Sequence, residues 1–527
     1  MDPQAKMRYQ QEFDDHLRAN RFAEAGTLCA RLMAIESGSV DGNLLASHSW
    51  QRLGDFDSML RAAQKAYSRD EKSLAVGLRL AECELYCNQV GAALGRLEQL
   101  EVLAGDDESA WQNIAQMYLH CASHVEAGRC YERAAALKPD HAGHLYNLAS
   151  SCVILGDIER AAVLFNRVIA LSPDMLDAYL GRTQLQTWDA EANNIAELSG
   201  VLARLPARHP GEVPLCHALA KEYEDIGEPR HAVAYLHRGA AGRRATLAYR
   251  VETDVNAMAQ IRRTFDRKFF SQSTPATKAD TADEPSYFVL GLPRSGTTLV
   301  DRILSSHSQV ASLGEVQNFT FALMHLAGGG RGGKFGLIER SSRIDVARLG
   351  SLYRAGILQY GKGAAHLINK TPANYLYLGL IHRALPNAKI VHLRRHPLDS
   401  CYAMYKTLFN MGYPFSYSLA DIGHYYLAYH RLMQHWREHM PDSFLDVDYE
   451  TLVDQQESTT RAMLAYCGLP WENSCLEFHK NAAPAASASA SQVRQPVYRR
   501  SLQRWRDYAD DLAPLAAFLT GHGIDCT

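Results

Sequence analysis

No stretch of this 527-residue chain approaches the ~18 to 20 consecutive apolar residues that crossing a bilayer requires. The N-terminal segment MDPQAKMRYQQEFDDHLRAN has charges throughout and lacks the apolar run of a secretory leader. Together these absences predict a cytoplasmic protein without membrane insertion. Neither sign of charge is in excess. The chain has 55 Lys and Arg against 58 Asp and Glu, a net charge of −3, which excludes a chain-wide electrostatic footprint for DNA, RNA or anionic lipid and leaves room only for a local basic pocket. The eleven cysteines include no C-x-x-C pair, so neither a zinc ribbon nor a dithiol redox centre is indicated, and they read as reduced, small apolar residues. His435 and His439 lie four apart but have no third ligand, so they read as part of an amphipathic helix and no metal is expected.

The sequence is rich in internal repetition. Ala25, Met59, Ala93, Ala127 and Ala161 advance by 34 residues, as do Cys29, Ala63, Leu97, Tyr131 and Phe165. Pro139 and Pro173 keep the same interval, and Gly54 and Gly156 lie three periods apart. In the clearest copy, Leu145, Leu148, Ala149 and Cys152 line a first helix, Gly156 makes the turn, and Ala161, Phe165 and Val168 line a second. These residues resemble tetratricopeptide repeats. That resemblance implies an α-solenoid of about five stacked helix pairs whose concave face binds peptides or proteins. A hairpin around Gly227 and Ala234 reads as a degenerate terminal repeat, after an out-of-register insertion near Trp188 to Pro210.

The segment SQSTPATKADTADEP, Ser271 to Pro285, is polar and aperiodic and reads as a linker. After it the chemistry begins. An apolar run from Tyr287 leads into Pro293-Arg-Ser-Gly-Thr-Thr298 and then an amphipathic stretch, the strand, loop and helix of a phosphate-binding turn. Backbone N–H groups of Ser295, Gly296, Thr297 and Thr298 would face an anion with the helix dipole behind them, and Arg294 and the threonine hydroxyls add donors. Thr297 stands where a nucleoside triphosphatase has its Walker lysine. A sulfuryl group carries one negative charge fewer than a γ-phosphate, so protein donors alone can manage its transfer, and the loop argues for a sulfonate donor.

At these residues the chain resembles the PAPS-dependent sulfotransferases (PAPS, 3′-phosphoadenosine 5′-phosphosulfate), and most of all the tyrosylprotein sulfotransferase branch. The resemblance continues in order through five segments. Glu315 in HSQVASLGE matches the catalytic carboxylate, which is needed because a tyrosine phenol of pKa ~10 is a poor nucleophile until deprotonated. Lys370 in INKTP matches the lysine that stabilises charge on the transferring group. The run Ala388 to Leu393 reads as a second buried parallel strand that delivers Arg394 and Arg395 to the carboxyl edge, where the resemblance implies a 3′-phosphate site. Ala403 and Thr407 depart from the pattern where the branch has a Ser and an Arg, with Ser400 and Lys406 nearby as substitutes. Tyr449 matches a nucleotide-contacting tyrosine or a core aromatic. A closing loop over the donor is matched by Ser489, for the branch's transition-state serine, and by Pro496 and Val497, with Tyr498 beside them and Arg504 standing before Trp505 where the branch has a Lys. Ser487 and Ser491 are alternatives to Ser489, and the loop's Ala/Ser-rich character predicts mobility until donor binds. The glycine cluster Gly328 to Gly333 reads as a flexible lid.

The chain as a whole resembles a tetratricopeptide-repeat-fused PAPS-dependent sulfotransferase. The expected architecture is an N-terminal α-solenoid over 8–245, a connecting helix and linker over 246–285, and a P-loop-like three-layer α/β domain with a central parallel sheet over 286–527. The expected acceptor is a protein tyrosine on a substrate docked on the repeats. A carbohydrate, lipid or small-molecule hydroxyl, a non-catalytic scaffold and a kinase are the competing readings.

Overall fold

The computed structural model describes residues 2–271, 286–329, 331–361, 363–409 and 412–527, so the expected linker lies outside the described residues apart from its first residue. Five antiparallel helix pairs run from Pro3–Arg18 with Phe22–Ile35 to Ala142–Leu155 with Ile158–Leu171. The residues of the first repeat column have no exposed surface, and those of the second are at most 3% exposed, because the small members let paired helices approach while the large ones fill the space between pairs. The out-of-register insertion contains the short helix Ile195–Arg204, and the terminal hairpin forms a further pair, Glu212–Asp225 with Pro229–Ala245.

The turn inside each of these five pairs has a fixed conformation. Asn20, Gly54, Asn88, Ala122 and Gly156, at intervals of 34 residues, all have positive φ, between 55° and 94°. This left-handed residue reverses the chain between the two helices of a pair, and Gly or Asn tolerates it best.

Five strands form a parallel sheet in the order β2-β3-β1-β4-β5: β1 Tyr287–Gly291, β2 Val310–Ser312, β3 His366–Asn369, β4 Lys389–Arg394 and β5 Leu445–Asp448. Every residue of β1 is buried, as a central strand covered on both faces requires. Tyr287 and Val289 face Val300, Ile303 and Leu464 on one side, while Phe288 and Leu290 belong to the larger core with Phe319, Tyr353 and Trp436 on the other. The fold class is therefore the expected one, a repeat solenoid followed by a three-layer α/β domain.

The helix Val251–Thr264, within the expected connecting segment, packs on the helix Leu419–His439, and one continuous core runs from Ala220 and Leu236 of the solenoid through Val251 and Ile261 into the α/β layers. His435 is buried in this core, with its ring nitrogen against the Phe265 carbonyl at 2.8 Å. The α/β domain also docks along the row of repeat turns. A Cβ on Gly54 would lie 2.3 Å from Gly329 Cα, and Arg331 Nε donates to the Leu53 carbonyl at 2.7 Å. Asn88 and Asn318 exchange two hydrogen bonds of 3.0 Å. The glycine cluster is thus a packed contact rather than a lid. Glycine is required there because two backbones meet, and Arg340 holds the loop through the carbonyls of Ala327, Gly329 and Arg331. Gly330 lies outside the described residues.

Candidate active site

Parallel strands deliver their carboxyl ends to one edge, and the chain reverses direction across the sheet on either side of β1, where open α/β sheets leave a crevice. The loop after β1 lies in this crevice. Arg294 has φ +67°, Gly296 has φ +106°, and the helix Thr297–Ser305 starts immediately afterwards. Gly296 cannot be replaced without distortion, because a Cβ there would sit 2.5 Å from the Tyr449 ring as well as straining the backbone. The loop is closely wrapped. Ser295 is buried and its hydroxyl makes no hydrogen bond within the protein.

Two guanidinium groups meet at this loop. Arg395 donates to the Arg294 carbonyl at 3.2 Å and lies 4.9 Å from the centre of the Tyr449 ring, a cation–π arrangement, while its buried Nε makes no hydrogen bond. Arg294 donates to Ser489 Oγ and, at 3.1 Å, to Gln492 Oε1. Burial, reinforced by Arg395 as a like-charged neighbour, lowers the Arg294 pKa, with Tyr498 and Tyr449 acting in the opposite sense. Among the described residues no carboxylate pairs with either arginine. An anion in the loop would supply the missing counter-charge, so these residues fit a phosphate or sulfate ester.

The adjacent strands β2 and β3 bring the two other key groups together. Lys370 N donates to the Gly314 carbonyl, extending the ladder past both strand ends, and Lys370 Nζ donates to Glu315 Oε1 at 2.6 Å. The lysine side chain is 3% exposed and the glutamate 38%, so the carboxylate faces the crevice with a buried cation behind it. Asp301, on the helix after the loop, is buried beside them. Burial raises its carboxyl pKa, with Lys370, Ser312 and Arg302 opposing. Nothing in its sequence context marks Asp301, since it reads as one polar residue in an amphipathic helix.

The remaining expected residues divide. Thr298 donates to Ser487 Oγ at 3.2 Å, so Ser487 and Ser489 both face the loop, whereas Ser491 donates to the Gln184 carbonyl of the solenoid. Tyr449 OH meets Ser501 Oγ at 2.8 Å. Tyr498 is half-buried, 4.8 Å beneath the Arg500 guanidinium. Arg394 points away, exposed and paired with Asp448 at 2.9 Å, and the Ser400 hydroxyl donates to the Arg395 carbonyl. Thr407, just past the end of the helix Pro397–Tyr405, donates to the Ala403 carbonyl.

Arg504 and Lys406, expected near the nucleotide, are held by a solenoid carboxylate. Glu224 receives Lys406 at 2.7 Å, Arg504 at 3.2 Å and the Tyr402 hydroxyl at 2.9 Å. Burial alone would raise the Glu224 pKa. The two cations outweigh it and hold the carboxyl at about 2. Asp399 is a further unanticipated group, since its carboxylate accepts from the backbone N–H groups of Gln503 and Trp505 at 2.8 and 2.9 Å and fixes the turn that stacks Trp505 on His396.

A basic glycine-serine-threonine loop thus lies at the carboxyl edge of a parallel sheet, beside a lysine-backed carboxylate, in an α/β domain packed on a helical-repeat solenoid. Residues 285–473 match the sulfotransferase family, and residues 145–175 match a tetratricopeptide repeat. The chain is 26% identical to an uncharacterised protein of Aquifex aeolicus (strain VF5) over 86% of its own length, and spans 60% of that relative. It is 26% identical to protein-tyrosine sulfotransferase 1 of Danio rerio, over 46% of this chain and 73% of the relative. Among solved structures, the sulfotransferase domain from the Synechococcus PCC 7002 olefin synthase aligns at 19% identity over 45% of this chain and 91% of that one, with a TM-score of 0.32. The C-terminal half contains a sulfotransferase-family domain with distant similarity to protein-tyrosine sulfotransferases. No helix among the described residues is long and apolar enough to cross a membrane.

Proposed function

We propose that the chain transfers a sulfuryl group from PAPS to an acceptor hydroxyl, and that the acceptor is a protein tyrosine. The observation that carries this reading is the Glu315–Lys370 pair at the same sheet edge as the loop Arg294 to Thr298. The loop's N–H groups and Arg294 hold the 5′-phosphosulfate, and Arg395 holds the 3′-phosphate. Glu315 takes the proton of the acceptor hydroxyl as its oxygen attacks sulfur. The bond between sulfur and the bridging phosphate oxygen breaks, and adenosine 3′,5′-bisphosphate leaves with the electron pair. Lys370 holds Glu315 in place through its hydrogen bond and, with Ser489, serves the charge that develops on the leaving oxygen. Similarity to the tyrosine-specific enzymes supports the phenolic acceptor, and the repeats support a protein substrate.

Calorimetry on the full chain tests the donor site. Adenosine 3′,5′-bisphosphate is expected to bind at micromolar Kd and ATP much more weakly. Arg395→Ala should weaken the bisphosphate by ~10-fold or more, as loss of a charge-assisted contact does. Equal binding of the two nucleotides by the wild type would overturn the reading. Mass-shift assays with PAPS across tyrosine peptides and glycans then identify the acceptor class.

A further inference from the structure

The segment that covers the phosphate loop is held from outside its own domain. At one end, the Ala485 N–H donates to the Ile154 carbonyl at 2.9 Å, and Arg494 donates to the same carbonyl at 3.1 Å. Ala485, Ala490 and Val493 form a small apolar cluster with Val153. The Arg494 guanidinium lies so close over Gly156 that a Cβ there would be 2.2 Å from its central carbon. At the other end, Arg500 donates to Thr187 at 2.7 Å, and Arg504 and the Tyr508 hydroxyl, at 3.3 Å, reach Glu224. Between these anchors lie the residues that touch the site: Ser487 on Thr298, Ser489 and Gln492 on Arg294, and Ser501 on Tyr449 and Arg395. These solenoid partners all come from the fifth repeat or beyond, and they add to the holds that Arg302 and Asp399 supply from within the α/β domain.

We propose that the solenoid is a positioning part of the donor site, and that Arg494 seated on the Gly156 turn is the latch that keeps the covering segment over the phosphate loop. This inference rests on the reading of that loop as the PAPS site. A segment that is Ala/Ser-rich, with few large side chains of its own to bury, cannot fix its conformation alone. The latch removes that freedom before the donor arrives, so donor binding does not have to supply the ordering. The repeat pattern accounts for the seat. Gly54, Asn88, Ala122 and Gly156 are equivalent left-handed turn positions, three of which meet the α/β domain through named contacts, and only at Gly156 is the absence of a side chain filled by a guanidinium.

Two variants on opposite sides of the contact test it in the full chain. Arg494→Ala removes the latch. Gly156→Asn fills the seat while keeping the turn, since asparagine occupies the same left-handed position at Asn20 and Asn88. Both should raise the KM for PAPS by ~10-fold, the value of one anchoring hydrogen-bonded contact, while kcat at saturating PAPS stays within ~2-fold because bound donor closes the segment through its own contacts. Both should also open residues 481–503 to limited proteolysis, with adenosine 3′,5′-bisphosphate restoring protection. Arg167→Ala, which removes an exposed solenoid ion pair with Asp140, should change neither readout. Unchanged KM and unchanged proteolysis in both latch variants would overturn the proposal. If the wild type binds no bisphosphate, the functional reading fails, and the proteolysis of nucleotide-free variants against wild type decides the latch by itself.

Discussion

Glu315→Gln is expected to reduce sulfuryl transfer by ~10²- to 10⁴-fold, the contribution of a positioned general base, with affinity for adenosine 3′,5′-bisphosphate nearly unchanged. Glutamine keeps the shape and can still accept a hydrogen bond from Lys370, but it cannot take the acceptor proton. The nucleotide contacts proposed for Arg294 and Arg395 follow the ends of β1 and β4, away from the β2 end that precedes Glu315, so the two readouts separate. Lys370→Met should also lower turnover, because Glu315 loses the hydrogen bond that positions it and the developing charge loses a cation. The double variant should be little worse than the worse single one, as expected for groups that act as a unit. Full turnover in Glu315→Gln, measured as sulfated product by mass shift, would remove the general-base assignment.

Glu224→Ala should be the most destabilising single change at the seam between solenoid and α/β domain. It leaves Lys406 and Arg504, each 30% exposed, without the carboxylate that neutralises both. Breaking a buried ion pair by removing one partner costs ~3 to 5 kcal/mol, and the partial exposure of the two cations places this case toward the lower figure. The check is the denaturation midpoint of the full chain, with Glu224→Gln intermediate because its amide oxygen still accepts from Tyr402. The pH dependence has a definite sign. The folded carboxyl, at about 2, lies below the ordinary glutamate value of 4.5, so its stabilisation is complete above pH 4.5 and is lost as pH falls toward 2. The stability difference between wild type and Glu224→Gln should therefore shrink across that window. A constant difference from pH 5 to pH 2 would show that the charge of Glu224 is not what holds the seam.

Both expectations depend on residues of unequal visibility in the sequence. Glu315 and Lys370 were legible as candidates because each follows a short apolar run and precedes a turn, and because the order of segments resembles a known pattern; the fold brings the two within one hydrogen bond. The serine ambiguity in the closing loop had no sequence solution, since Ser487, Ser489 and Ser491 alternate in a stretch without periodicity; the fold narrows it to Ser487 and Ser489 by turning Ser491 toward Gln184. The glycine cluster misled for a physical reason. Glycine is chosen equally for freedom and for close packing, and here Gly329 has no side chain because Gly54 occupies the space. Glu224 gave no signal at all: in its own segment, LAKEYEDIGE, it reads as one more charge on the exposed face of a helix.

What the sequence determined by itself was the set of local structures. The 34-residue period required stacked helix pairs, because one pair cannot bury its apolar stripe alone, and the apolar run before Pro-Arg-Ser-Gly-Thr-Thr required a strand, an anion-wrapping loop and a helix. Only the tertiary structure decided how these parts serve one site. The pairing of Glu315 with Lys370 depends on β2 lying beside β3, the meeting of Arg294 with Arg395 depends on β1 lying beside β4, and the covering segment depends on solenoid turns hundreds of residues away. Periodicity is a property of neighbours in the chain, whereas charge neutralisation and the seating of a guanidinium on a glycine depend on distances in space, which exist only after the solenoid and the sheet have packed together.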